Sequence, residues 1–251
     1  MSKINQLFLE WPKGTIKSSR ELRDLGYSSQ LLKIYANSRW INLLGRGAYK
    51  LSDDNVDWQG GLYCLQRRAE NRIHVGAKTA LTLNGYTHYV AQEQNAIELF
   101  GNTTDTLPAW FTKQIWMEKI KYFGTGGFQY DNLKVFSTID LNNIPIMISS
   151  AELAILEMLF LVPVVHSFNE ASLIMETLTS LRVEMVQFIL ESCSSIKAKR
   201  LFLYLGEKHN HSWFSQINQT NIDLGSGKRE IVKKGKLNKK YNITVPVDYE
   251  E

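Results

Sequence analysis

Within its first fifty or so residues the chain carries a fixed order of short segments that few small folds can accommodate. Apolar residues follow helical spacing over residues 4–11, and Pro12-Lys13-Gly14 ends that segment. Ser18 and Glu21 have the spacing of a capping box and predict a short second helix over residues 20–25, which a glycine ends. Two short helices are therefore expected at the start of the chain.

A third helix and a β-hairpin follow directly. A serine precedes residues 30–38, whose apolar side chains again have helical spacing. Two strand-like runs, 40–44 and 49–51, flank Gly45-Arg46-Gly47-Ala48, a hairpin loop that contains glycine. This order of helices and hairpin is the plan of a winged helix-turn-helix, so we predict that fold for residues 1–57.

Polar residues of this unit are the expected DNA contacts. In a helix-turn-helix the third helix enters the major groove, where Gln and Asn can read adenine and Lys can reach guanine or phosphate. Leu31, Ile34 and Trp40 are expected in the core. A basic face that binds protein is the alternative. The candidate DNA-binding residues are Lys17, Ser18 and Arg20 near the start of the second helix, Ser29, Gln30, Lys33 and Asn37 on the third helix, and Arg46 at the hairpin tip.

The net charge of +4 hides an uneven distribution along the chain. Residues 1–50 carry +6, residues 51–227 carry −5, residues 228–240 carry +6 and the last eleven carry −3. Two basic ends indicate an anionic partner. The second basic segment predicts an anion-binding surface for nucleic acid or an acidic protein, and a basic loop packed by a terminal strand is the alternative. With a separate basic cluster on the last predicted helix, the candidate residues are Lys197, Lys199, Arg200, Lys228, Arg229, Lys233, Lys234, Lys236, Lys239 and Lys240.

The remainder, residues 58–251, has the pattern of a larger mixed α+β domain. A polar, acidic stretch over 52–58 marks the boundary. Helices are expected over 58–68 and Ala77–Leu83. Strand-like runs follow at 88–91, 97–100, 115–123, 133–137 and 144–148. Four helices then follow: one to Leu161, one over Glu170–Ser180 capped by Asn169, one over 183–193, and one from Ile196 to Leu205 that Gly206 ends.

Several function classes find no support in the sequence. No secretory signal is visible, and the most apolar run is interrupted by Glu157 and Pro163, so we expect a cytoplasmic protein with no membrane contact. Its two cysteines have no paired spacing, which indicates buried, reduced thiols. The Gly-Ser-Gly-Lys-Arg sequence ending at Arg229 lacks the spacing of a phosphate-binding loop. His209 and His211 are expected to be exposed in a turn. We therefore expect no metal, no cofactor and no enzymatic activity.

An ordered set of short strings gives the chain a resemblance to a known family. In chain order the strings are Gly45-Arg46-Gly47-Ala48-Tyr49, Gly61-Leu62-Tyr63, Ile73 to Leu81, Gly85-Tyr86, Ser149-Ser150-Ala151-Glu152, Lys199 to Leu205, Asp223 to Arg229, and Lys239-Lys240-Tyr241. They cover nearly the whole chain, and the set is more specific than any single string. On these residues the chain resembles the AbiEi antitoxins of bacterial AbiE (type IV) toxin–antitoxin systems.

The resemblance implies a function for each part of the chain. Members repress their own operon through the winged helix, and their C-terminal domain supplies antitoxin activity. The partner gene encodes AbiEii, a nucleotidyltransferase-like toxin, which the antitoxin counters without a stable complex. The expected DNA partner is a double-stranded operator with inverted repeats, because helix-turn-helix proteins often bind two half-sites. A solitary regulator, or a protein-interaction module without antitoxin activity, is the alternative.

Overall fold

The N-terminal unit consists of three helices and a three-stranded sheet. The computed structural model describes residues 2–68, 72–87, 96–128 and 132–247. The first elements are α1 (Lys3–Leu9), β1 (Lys17–Ser18), α2 (Ser19–Asp24), α3 (Ser29–Asn37), β2 (Ile41–Gly45) and β3 (Ala48–Leu51). β3 pairs antiparallel with both β1 and β2, giving the sheet order β1-β3-β2. This element order is the one predicted from the sequence, apart from the two-residue strand β1.

Serine side chains cap the starts of α2 and α3, as predicted. The Ser18 hydroxyl accepts a hydrogen bond from the Glu21 amide at 3.1 Å, and the Ser28 hydroxyl accepts one from the Leu31 amide at 3.2 Å. Each bond satisfies an amide that lacks a partner within the helix. The starts of α2 and α3 are therefore fixed by local sequence.

A small apolar core holds the N-terminal unit together, and two residues expected in it are exposed. Ile34 is 57% exposed and Trp40 is 50% exposed, which corrects the prediction that they are core residues. α3 turns Leu32 inward, and a residue two positions further along a helix points to the opposite side. Trp40 packs against Phe8 near the surface, with ring centroids 5.6 Å apart. The core residues are Leu7, Trp11, Leu22, Tyr27, Leu32 and Ile41.

The rest of the chain is a mixed α+β domain, which confirms the predicted fold class. Its helices are α4 (Trp58–Gln66), α5 (Ala77–Leu83), α6 (Ala109–Thr112), α7 (Ala151–Leu161), α8 (Phe168–Thr177), α9 (Val183–Ser192) and α10 (Ile196–Lys208). Its strands are β4 (His74–Val75), β5 (Ile97–Gly101), β6 (Ile120–Gly124), β7 (Phe136–Leu141), β8 (Ile144–Ser149), β9 (Arg229–Glu230), β10 (Lys236–Asn238) and β11 (Ile243–Val245). A five-stranded sheet has the order β6-β5-β4-β8-β7, and a three-stranded sheet has the order β10-β11-β9.

Some predicted boundaries differ from the structure. α8 begins at Phe168 because the Ser167 hydroxyl, and not Asn169, caps it by accepting from the Glu170 amide at 3.1 Å. α10 continues past Gly206 to Lys208. The glycine does not end the helix but lets the Trp213 ring pack closely, because a Cβ there would lie 2.9 Å from that ring. The run over 115–123 forms a strand only from Ile120. The strand expected at 88–91 falls outside the described residues.

A buried carboxyl group connects the centre of the C-terminal domain. Glu157 on α7 is fully buried, and one of its oxygens lies 2.8 Å from His74 Nε2 on β4. Its other oxygen accepts hydrogen bonds from the Ala77 amide at 3.0 Å and the Ser149 hydroxyl at 2.8 Å. One side chain thus joins α7 to the start of α5 and to two neighbouring strands. Bonds of this kind make the burial of a polar group tolerable.

Long apolar helices and clusters of metal-binding side chains are both absent from the part of the chain that the structure describes. No helix there is both long and apolar enough to cross a bilayer. Nor does any group of three or more His, Cys, Asp or Glu residues lie close enough together there to hold a metal ion. The two cysteines are buried and unbonded, and burial raises the pKa of Cys64 to about 12 and that of Cys193 to about 11. Both therefore stay protonated at neutral pH.

Candidate nucleic-acid interface

The outer face of α3 is polar and exposed. Ser29, Gln30, Lys33 and Asn37 are all exposed, while Leu32 on the opposite side is buried. Helix geometry explains the division, since residues three, four and seven positions apart lie on the same side of a helix. All four α3 residues predicted from the sequence therefore share one surface, and the exposed Ile34 side chain lies beside them.

The hairpin of β2 and β3, called the wing below, presents Arg46 at its tip. Arg46 is exposed, and the next residue, Gly47, has a φ of +83°, a conformation that residues with a side chain rarely adopt. The Gly47 carbonyl accepts a hydrogen bond from the Ser19 amide at 2.9 Å. The wing is thereby tied to the first residue of α2, which fixes the position of its tip relative to that helix.

Two of the residues expected to contact phosphate are buried. The Lys17 ammonium lies 2.8 Å from a Glu21 oxygen and 5.9 Å from the centre of the Trp11 ring. The Ser18 hydroxyl caps α2, as described above. Both side chains therefore stabilise the start of α2, and neither belongs to the surface proposed below. Arg20, one turn further, is exposed.

Two arginines that sequence reasoning missed lie beside this part of α2. Arg67 and Arg68 follow α4 and line, together with Arg20, a cavity of about 530 Å³ between α2 and α4. Arg67 Nε is 3.6 Å from a Glu21 oxygen, and the Arg67 side chain is 54% exposed. Only the adjacent Arg-Arg pair at the end of a predicted helix signalled them. The basic surface of the N-terminal unit thus extends onto α4.

The candidate residues of the second basic surface fall into two groups, exposed lysines around β10 and more deeply buried side chains on α10. The residues around β10 present an exposed lysine face. Its exposed members are Lys228, Lys233, Lys234, Lys236, Lys239 and Lys240. Arg229 on β9 is half-buried. Lys240 forms an ion pair with Glu207 on α10.

The α10 residues Lys199 and Arg200, expected on that surface, are buried, and Arg200 binds backbone instead. Lys199 and Arg200 are 2% and 3% exposed, which corrects the expectation that they belong to a surface cluster. The Arg200 guanidinium donates hydrogen bonds to four carbonyl oxygens. They belong to Leu224 at 2.8 Å, Gly225 at 2.9 Å, Gly227 at 2.6 Å and Asn242 at 3.1 Å.

Lys197 has a similar structural role. Its ammonium donates to the carbonyls of Phe160, at 2.7 Å, and Val162. Burial lowers the pKa of this lysine below its usual range. The sequence suggested that the positive charges of Lys197 and Arg200 bind a ligand. Instead, they donate hydrogen bonds to backbone carbonyls at the end of α7 and in the C-terminal segment.

The histidine pair near residue 210 is only partly as predicted. His211 is 8% exposed, so the prediction of two exposed histidines is wrong for it. Its ring stacks on Trp213, with centroids 4.9 Å apart, and its Nε2 lies 2.8 Å from the Met175 carbonyl oxygen. His209 is half-buried, and burial lowers its pKa.

A small helical unit with an exposed polar helix and a basic wing is attached to a larger α+β domain, an organisation compatible with a transcriptional regulator. Sequence comparison identifies the family. Residues 1–92 match the family described as "Transcriptional regulator, AbiEi antitoxin N-terminal domain". Residues 94–246 match the family described as "Transcriptional regulator, AbiEi antitoxin, Type IV TA system". The chain belongs to the AbiEi family of antitoxin transcriptional regulators, as the resemblance indicated.

A solved structure supports the fold over nearly the whole chain. The crystal structure of the RV2827C protein from Mycobacterium tuberculosis superposes with a TM-score of 0.62 at 10% sequence identity. The match covers 96% of this chain and 88% of the other chain. At this identity the likeness concerns the fold alone. No curated protein sequence matches the chain.

Proposed function

We propose that the N-terminal unit is a winged helix-turn-helix that binds the operator of its own operon and represses it. The observation that carries this proposal is the outer face of α3, where Gln30, Lys33 and Asn37 are exposed together. These are side-chain types that read base edges in the major groove. Arg20 and Arg46 flank the face and can contact phosphates or the minor groove. The proposed activity is binding and not catalysis, in the cytoplasm.

The separate N-terminal core supports a boundary near residue 57. That core lies within residues 7–51, while the same unit contributes Ile16 and Ala48 to the larger core, which otherwise begins at Trp58 of α4. Two copies on an inverted repeat would place an α3 in each of two successive major grooves. The lysine face around β10 is a second proposed anion-binding surface.

We expect the full chain to bind a duplex carrying its own upstream sequence, with an affinity that falls steeply as salt rises. Each phosphate contact releases counterions, so the slope of log K against log salt becomes steeper by about 0.9 per contact. Fluorescence anisotropy between about 50 and 200 mM salt measures the slope. A random duplex of equal length is the control. Absence of binding to the upstream duplex at low salt would reject the repressor proposal.

A second proposed activity is the neutralisation of a nucleotidyltransferase-like toxin by the domain over residues 58–251, without a stable complex. Membership of the AbiEi family supports it. We expect co-expression of the full chain with the neighbouring toxin gene to restore growth. A variant that no longer binds DNA, with alanine at Gln30, Lys33 and Asn37, should restore growth equally when both genes are driven by a foreign promoter. Failure of the full chain to restore growth would leave a solitary regulator or an interaction module.

A further inference from the structure

A loop of the C-terminal domain is built directly against the wing. The Gln114 side-chain amide donates a hydrogen bond to the Leu44 carbonyl of β2 at 3.1 Å. At the next residue, Gly45, a Cβ atom would lie 2.9 Å from the Trp110 Cβ, so the backbone of the wing approaches α6 closely. The loop over residues 113–119, called the brace loop below, therefore lies beside the wing. It contacts the wing at Leu44, two positions before Arg46.

The brace loop is held from its other side as well. The Trp116 indole donates to the Phe111 carbonyl at 3.0 Å. A carboxylate oxygen of Asp57 accepts from the Met117 amide at 3.3 Å and from the Trp58 amide at the start of α4 at 2.8 Å. Contacts to the wing, to α6 and to α4 thus define its position. An ordered loop of this kind can present side chains to a ligand without a large loss of conformational entropy.

The brace loop directs apolar side chains into solvent between exposed lysines. Ile115 is 100% exposed and Met117 is 89% exposed, whereas Trp116 between them is half-buried. Lys113 and Lys119 are exposed at the two ends of the loop, and the exposed Glu118 beside Lys119 offsets one of the two positive charges. No packing requirement within the described residues accounts for a fully exposed isoleucine two positions before a methionine that is 89% exposed.

The wing lies between α3 and the brace loop. On β2, Ile41 belongs to the N-terminal core that α3 covers, while Leu44 packs against the core of the larger domain. A duplex that touches α3 and then the tip of the wing therefore continues towards the brace loop. Its phosphates would meet Lys113 and Lys119 there.

We propose that the brace loop is a second DNA contact beside the wing, in which Ile115 and Met117 touch the minor groove of the operator. This inference rests on the proposed function. Apolar side chains such as Ile and Met contact base steps in the minor groove and widen or kink them. Continuity with the wing and the flanking lysines favour a duplex over a protein as the occupant, because exposed lysines are depleted in protein interfaces and enriched in phosphate contacts.

The test compares operator binding by the full chain and by an Ile115→Ala/Met117→Ala variant. Both side chains are exposed, so the variant should fold with unchanged stability. We expect roughly tenfold weaker operator binding and a smaller bend, measured by anisotropy and by energy transfer between labelled duplex ends. Val164→Ala is the matched control, since Val164 is an apolar residue that is 89% exposed elsewhere. It should match the parent.

A second variant separates the contributions of charge and apolar contact. Lys113→Ala/Lys119→Ala should reduce the salt slope by about two, one per lost phosphate contact. If the parent binds the operator and both variants match it within twofold in affinity, slope and bend, the brace loop is not a DNA contact. If the parent binds no duplex at low salt, the proposed function itself fails.

Discussion

An α3 variant with Gln30→Ala, Lys33→Ala and Asn37→Ala is expected to bind its operator at least a hundredfold more weakly than the parent. Each base-edge contact contributes about 1–3 kcal/mol of discrimination, so loss of three contacts should remove most of the sequence preference. Binding to random DNA should fall much less, because wing and helix-start cations still contact phosphates. The three side chains are exposed, and the midpoint of urea unfolding should not change.

Competition anisotropy with operator and random duplexes measures this effect. The matched control replaces the same three residue types on the larger domain, Lys134, Gln216 and Asn221, all of which are exposed. The control should bind like the parent. Equal losses on operator and random DNA would mean that α3 contacts backbone and does not read bases. No loss on either would exclude α3 from the interface.

Glu157→Ala is expected to lower the free energy of unfolding by about 3–5 kcal/mol, a large part of the stability of a domain. The substitution would leave His74, the Ala77 amide and the Ser149 hydroxyl without their buried partner. Gly76 adds a constraint, since a Cβ there would lie 2.4 Å from a Glu157 oxygen, so the chain is built closely around this carboxyl group.

Urea unfolding followed by circular dichroism checks this expectation. Glu184→Ala is the control, because Glu184 is an exposed glutamate on a neighbouring helix and should change stability by less than about 0.5 kcal/mol. Glu157→Gln keeps the size of the side chain, and we expect it to destabilise less than alanine does. A loss below about 1 kcal/mol for Glu157→Ala would show that the hydrogen bonds of Glu157 contribute little to the free energy of unfolding.

The sequence correctly predicted helix boundaries that depend on contacts between residues close together in the chain. Ser18 caps α2, and the helix over Ala77–Leu83 has the predicted bounds, with Gly85 following at a φ of +89°. A cap and a left-handed glycine involve residues only a few positions apart, so their spacing is visible in the chain. The α3 face was predictable for the same reason.

Contacts between distant residues were not predictable in this way. Arg200 belongs to a basic string in the sequence, but its partners lie 24 to 42 residues away. The brace loop meets the wing through Gln114 and Leu44, which are 70 residues apart. The residue types alone do not distinguish a cation that binds a ligand from one that binds backbone carbonyls. Packing decides between the two, and packing depends on the whole chain.

The position of β11 has a consequence for synthesis on the ribosome. β11, residues Ile243–Val245, is the central strand of its sheet, although it follows both β9 and β10 in the chain. β9 and β10 cannot form their pairings until it emerges, and Arg200 lacks its Asn242 acceptor until then. The N-terminal unit, whose small core and sheet are complete by Leu51, can fold much earlier. A growing chain should therefore acquire its N-terminal unit long before its C-terminal sheet, and a truncation before Asn242 would remove the centre of that sheet.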